Sequence, residues 1–162
     1  MKIDAEKYLF NKVIVYLGKY PATKKKIEEY LSKTIKNKKT YQRAIFVEGI
    51  DKSLLIENII FKLDKLNMIN EDLLLESTFY YYERSLFSMR KIKYKLFLKG
   101  FDKKNIDIFI DKKLEEDPDL EIEILKKYIQ KKNLASLGLN DLKKKLFQQS
   151  FSEGSIYKII KE

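Results

Sequence analysis

Histidine and cysteine are both absent from the 162 residues, and glycine and proline are scarce, with five and two occurrences. Without imidazole or thiol there is no Ser-His-Asp or Cys-His nucleophile, and no zinc site of the usual Cys/His kind. Disulfides are excluded as well, so folding needs no oxidising compartment. Scarcity of glycine and proline disfavours a loop-rich or β-rich domain and suits helices joined by short turns. Long hydrophobic runs are missing too: none approaches the ~18 to 20 apolar residues that a bilayer span requires. The opening Met1-Lys2-Ile3-Asp4-Ala5-Glu6 carries acids and lacks the continuous apolar stretch of a signal peptide. The expectation is a cytoplasmic protein with no membrane partner.

Phosphate-binding loops are also missing, because the five glycines stand isolated at 18, 49, 100, 138 and 154. The acidic cluster Glu115, Glu116, Asp117, Asp119, Glu121 and Glu123 has the ligands for Mg²⁺, but reads better as a helix N-terminus, where negative charge is favoured. A protein that binds rather than catalyses is expected, with no catalytic residue, no cofactor and no metal.

What the chain does contain is 44% hydrophobic and 36% charged residues, arranged with helical spacing almost throughout. Tyr8, Leu9, Val13, Tyr16 and Leu17 follow steps of three and four, as do Leu75, Phe79, Tyr82 and Leu86. The fold class expected is all-α. Within the aromatic run 79–82, Phe79 and Tyr82 lie on the apolar stripe and belong to a core, whereas Tyr80 and Tyr81 point elsewhere, toward a partner or a neighbouring unit.

The pattern repeats. With Ile27, Ile92 and Leu142 in one column, Leu31, Leu96 and Leu146 align one helical turn later. Gly100-Phe101-Asp102 then matches Ser150-Phe151-Ser152, and both match Gly49-Ile50-Asp51 if the first copy carries a 14-residue insertion at about 33–48. Removing it leaves spacings of 51 and 50 residues. Polar positions align as well: Asp51, Asp102 and Ser152 each suit a helix N-cap, and so do Thr23 and Ser88.

Three tandem three-helix repeats are expected, at 1–67, 68–116 and 117–162, stacked into an elongated, curved array. The helices expected are 4–18, 23–37 and 51–67, then 70–86, 88–99 and 102–115, then 118–134, 139–149 and 152–162. Asp117-Pro118 opens the third repeat as an N-cap with proline at the first helical position.

Net charge is +10, from 34 Lys+Arg against 24 Asp+Glu, and it concentrates on the middle helix of each repeat. Lys24, Lys25 and Lys26 open the first; Arg84, Arg90, Lys91, Lys93 and Lys95 lie on or beside the second; Lys143 and Lys144 lie on the third. On a single helix such a run also serves as a plain solvated face. Three in equivalent positions suit a polyanion, either nucleic-acid phosphate or an acidic groove on a protein. Lysine outnumbers arginine, which fits diffuse attraction better than bidentate base reading.

These residues resemble a family. Leu66-Asn67-Met68-Ile69-Asn70-Glu71-Asp72, the segment Arg84 to Phe101 with Arg90-Lys91-Ile92, Leu96 and Lys99-Gly100-Phe101, and Tyr16-Leu17-Gly18-Lys19-Tyr20-Pro21-Ala22-Thr23 are similar to the RecX regulatory proteins of bacteria, over nearly the whole chain. Asn67 stands where the family has glycine, and as asparagine it tolerates a left-handed backbone.

The resemblance implies a non-enzymatic regulator that binds the RecA–single-stranded DNA filament in its groove. There it would inhibit strand exchange, ATP hydrolysis and LexA coproteolysis. The ten cations named above are the contacts expected from the charge pattern, and a capped array of three distinct units fits a monomer. The alternative is a helix-turn-helix-like regulator that binds nucleic acid directly. A purely structural helical adaptor is a third reading.

Overall fold

The computed structural model describes residues 4–37 and 51–161. Among them are nine α-helices, one short 3₁₀ turn and no strand. The helices are α1 (Ala5–Lys19), α2 (Lys24–Lys36), α3 (Lys52–Lys65), α4 (Glu71–Arg84), α5 (Met89–Leu98), α6 (Lys103–Glu116), α7 (Leu120–Lys131), α8 (Leu139–Gln148) and α9 (Glu153–Lys161). Gly49, Ile50 and residues 38–48 of the expected insertion lie outside the described residues. No described helix is long and apolar enough to cross a membrane. The all-α class expected from spacing is what forms.

The helices start where short polar side chains take up backbone donors that lack an intrahelical partner. Asp51 Oδ1 accepts from the N–H groups of Ser53 and Leu54, at 2.9 and 3.3 Å, and Asp102 Oδ1 does the same for Lys104 and Asn105. Thr23 caps Lys26, Ser88 caps Lys91 and Ser152 caps Ser155, each at 3.3 Å. All five expected caps are in place.

The chain divides into two compact units, 1–74 and 75–162, with the division falling inside α4. In the first unit, α1, α2 and α3 pack on one another pairwise. Ala5, Leu9 and Val13 meet Ile27, Leu31 and Ile35, and Leu55, Ile59 and Leu63, with Ile69 closing the cluster. Each helix contributes residues four apart, one stripe per helix. Burying each such leucine or isoleucine contributes about 1.5–3 kcal/mol.

In the second unit, α5 packs on α6, and α9 packs on both α7 and α8. Phe79 is fully buried with its ring edge toward Phe109, centroids 5.2 Å apart, and Tyr82 is buried beside it; Tyr81 is 61% exposed. Two turns in this unit close alike. Phe101 N–H donates to Leu96 O and Phe151 N–H to Leu146 O, at 3.4 and 3.3 Å, each after a residue of positive φ, Gly100 or Ser150. Asn67 takes φ 53°, as its side chain permits.

α7 departs from expectation at both ends. Asp117 Oδ1 accepts from Asp119 N–H at 3.2 Å and Leu120 N–H bonds to Asp117 O, so a tight turn at Pro118–Asp119 precedes a helix that begins at Leu120. Its far end stops at Lys131, because Asn133 turns left-handed at φ 52° and leads into the 3₁₀ turn Leu134–Ser136, which buries Leu134.

Candidate partner-binding helices

Nine of the ten cations singled out from sequence lie on α2, α5 and α8, whose buried stripes (Ile27, Leu31, Ile35; Met89, Ile92, Leu96; Leu146) fix which side faces the core; Arg84, expected with the second middle helix, is instead the last residue of α4. Lysine and arginine stems on the remaining sides reach solvent. Their surroundings sort them into three kinds.

Three cations are engaged by carboxylates. Lys24 Nζ lies 3.1 Å from Asp64 Oδ2, at the edge of a cavity of about 390 Å³ also lined by Asn67, Asn70 and Asp72. Lys26 Nζ lies 2.9 Å from Glu29 Oε2, a bond that holds the Glu29 carboxyl below its ordinary range. Lys93 Nζ lies 2.9 Å from Asp107 Oδ1 on α6, with Asp111 at 3.9 Å.

Three others rest on neutral groups. Lys91 Nζ donates to Gln149 Oε1 at 2.5 Å. Lys95 lies over the rings of Phe87 and Tyr82, 4.6 and 5.6 Å from their centroids. Lys143 donates to Tyr157 Oη at 2.9 Å while sitting 4.1 Å over the same ring. Such cation–ring contacts are worth about 0.5–1 kcal/mol at exposed sites.

Arg84, Arg90 and Lys144 are exposed and have no hydrogen bond or ion pair among the described residues; Lys25 is exposed as well. In the second unit Arg90 and Lys144 share their helices with exposed apolar side chains that the sequence reading missed. Tyr94, Phe97 and Leu98 of α5 are 62, 48 and 54% exposed, and Leu139 and Phe147 of α8 are 59 and 43% exposed. Arg90, Tyr94 and Phe97 follow i, i+4 and i+7, so they share a side away from Met89, Ile92 and Leu96. The signal was present in that phase, and in Phe97 and Phe147 standing 50 residues apart, but helical spacing alone makes any aromatic look like core.

Tyr80 is held by its own unit: Lys113 Nζ donates to its hydroxyl at 3.0 Å, a bond that, with Glu116 nearby, raises the Lys113 ammonium above its ordinary pKa. No group of acidic residues arranged to hold a metal ion occurs among the described residues. One member of the acidic cluster has another role. Glu121 is 8% exposed and accepts from Met89 N–H at 3.1 Å and from Ser155 Oγ at 2.9 Å, as well as from Ser152 Oγ.

No protein-family model matches the chain, and no curated protein matches it. Solved structures do. The crystal structure of RecX from Lactobacillus salivarius is similar with a TM-score of 0.68 and 23% identity, over 96% of this chain and 94% of that one. A second crystal structure, of a regulatory protein RecX, also gives 0.68, with 19% identity, over 96% of this chain and 71% of that one. The chain has the fold of these RecX proteins.

Proposed function

We propose that this chain is a RecX-type regulatory protein that acts without catalysis, as a cytoplasmic monomer, by docking on the filament of RecA on single-stranded DNA and inhibiting its recombinase, ATPase and coprotease activities. The observation that carries this reading is the RecX fold over 96% of the chain. The three repeats, 1–67, 68–116 and 117–162, would present α2, α5 and α8 as equivalent cationic helices. Arg84, Arg90 and Lys144 make first contact, because no internal carboxylate has to be displaced. Lys24, Lys25, Lys26, Lys91, Lys93, Lys95 and Lys143 add attraction at longer range.

The test is RecA-dependent ATP hydrolysis on single-stranded DNA. The protein is expected to slow it at substoichiometric amounts, and Arg90→Glu with Lys144→Glu to relieve the inhibition while helicity is unchanged. Full hydrolysis at every ratio of the unmodified protein would overturn the reading.

Direct binding to nucleic acid is the second reading. It is favoured by the exposed Tyr94 and Phe97 on the same side of α5 as Arg90, since solvent-facing aromatics next to a cation can stack on unpaired bases. Tight, salt-dependent binding to naked DNA with no preference for the coated filament would select it.

A further inference from the structure

The first N–H groups of a helix have no partner within the helix. In α2 and α5 the capping hydroxyls Thr23 and Ser88 satisfy the third residue, Lys26 or Lys91, and not the first, Lys24 or Met89. In both helices that donor is met by a glutamate from a distant segment. Lys24 N–H donates to Glu71 Oε1 at 2.6 Å, and Met89 N–H to Glu121 Oε1 at 3.1 Å.

The pairs are related by the sequence repeat. Glu71 and Glu121 stand 50 residues apart, the offset between the second and third copies. Lys24 and Met89 stand 65 apart, the offset between the first two copies with the 14-residue insertion included. Each glutamate lies in the first turn of a helix that opens one triple, α4 or α7, and reaches the middle helix of the triple before it.

The second pair is the more enclosed. Glu121, buried, takes its donors from the N-termini of two helices, Met89 on α5 and Ser152 and Ser155 at the start of α9. All three donors are neutral, so the carboxylate is balanced by hydrogen bonds and by the positive ends of two helices. Around the same junction Ser88 Oγ donates to Gln149 O at 2.9 Å. The third middle helix, α8, begins at Gly138 and Leu139, the positions matching Ser88 and Met89, and has no side-chain cap bond.

We propose that Glu71 and Glu121 are positioning residues: each clamps the start of a cationic middle helix to the first turn of a later helix, α4 or α7, so that the start of the cationic helix keeps its place only while that turn is formed. The clamp rests on the three-triple reading and not on any partner.

Amide hydrogen exchange of the full chain, free of RecA and DNA, tests it. Glu121→Ala is expected to speed exchange at least tenfold at Met89–Ile92 and also at Glu153–Ile156, while Ile27–Leu31 of α2 is unaffected. Glu71→Ala is expected to act on Lys24–Ile27 and to leave Met89–Ile92 alone. Glu121→Gln, whose carbonyl still accepts from Met89, should restore most of the protection. Unchanged exchange at Met89 in Glu121→Ala, or equal acceleration everywhere, would overturn the clamp. If Glu121→Ala does not fold, Glu71→Ala, at a half-buried position, decides by the same readout. Failure to inhibit RecA leaves these exchange patterns untouched, so the two readings fail separately.

Discussion

Ser150 adopts φ 64° at the position where, 50 residues earlier, Gly100 adopts φ 93°. The left-handed region costs a residue with a Cβ about 1–2 kcal/mol, and glycine nothing. Glycine loses more chain entropy on folding, which offsets part of that. Ser150→Gly is therefore expected to stabilise the protein by up to about 1 kcal/mol, raising Tm by about 2–4 °C in a chain of this size. Differential scanning calorimetry checks it; a lowered Tm would contradict the strain at this turn.

Ser88 and Asp102 both cap helices but in different surroundings. Asp102 is exposed, and Asp102→Ala should cost about 1 kcal/mol, the usual loss of a cap. Ser88 is fully buried, accepts from Lys91 N–H and donates to Gln149 O. Ser88→Ala should cost about 2 kcal/mol, since the half-buried Gln149 carbonyl also loses its donor. Urea unfolding curves of the two variants should rank in that order.

Within the aromatic run, position decides the outcome. Phe79→Ala should lose about 3–5 kcal/mol, because it empties a fully buried site and removes the edge contact with Phe109. Tyr81→Ala, at an exposed position, should stay within about 0.5 kcal/mol. Equal losses would mean the helix phase is wrong.

Burial raises the Tyr82 phenol above its ordinary pKa of 10.0, with Tyr81 adding to the effect. A pKa raised in the folded state gives stability that is present below the unfolded value and is lost as pH rises through the folded one. Unfolding midpoints should therefore fall above about pH 10, and Tyr82→Phe should flatten that fall. A parallel decline in both proteins would remove Tyr82 as the cause.

The helices and their caps were legible because both are local: apolar spacing selects the face, and a Thr, Ser or Asp one residue ahead supplies the acceptor. Phe79 and Tyr82 were placed in the core by the same spacing, and Asn67 was matched to a left-handed turn by its chemistry. The glutamate contacts were not legible. Glu121 read as one of six acids favoured at a helix N-terminus, and only the fold brings it within reach of Met89, 32 residues away. The pairing of Lys93 with Asp107 was hidden for the same reason, since a run of like charges in sequence says nothing of acids on the next helix. Pro118 misled by two residues, because Asp117 folded the chain over Asp119 before the helix began at Leu120.

On the proposed binding reading, the carboxylates that hold Lys24, Lys26 and Lys93 stand in the way of an incoming polyanion. An incoming phosphate at Lys93 must displace Asp107, and the freed aspartate then repels the ligand it made room for. Counterion release on such binding thus scales with fewer than the full ten cations, giving a shallower salt slope than the lysine content suggests. Removing an acid, as in Asp107→Asn, adds binding charge without adding a single lysine.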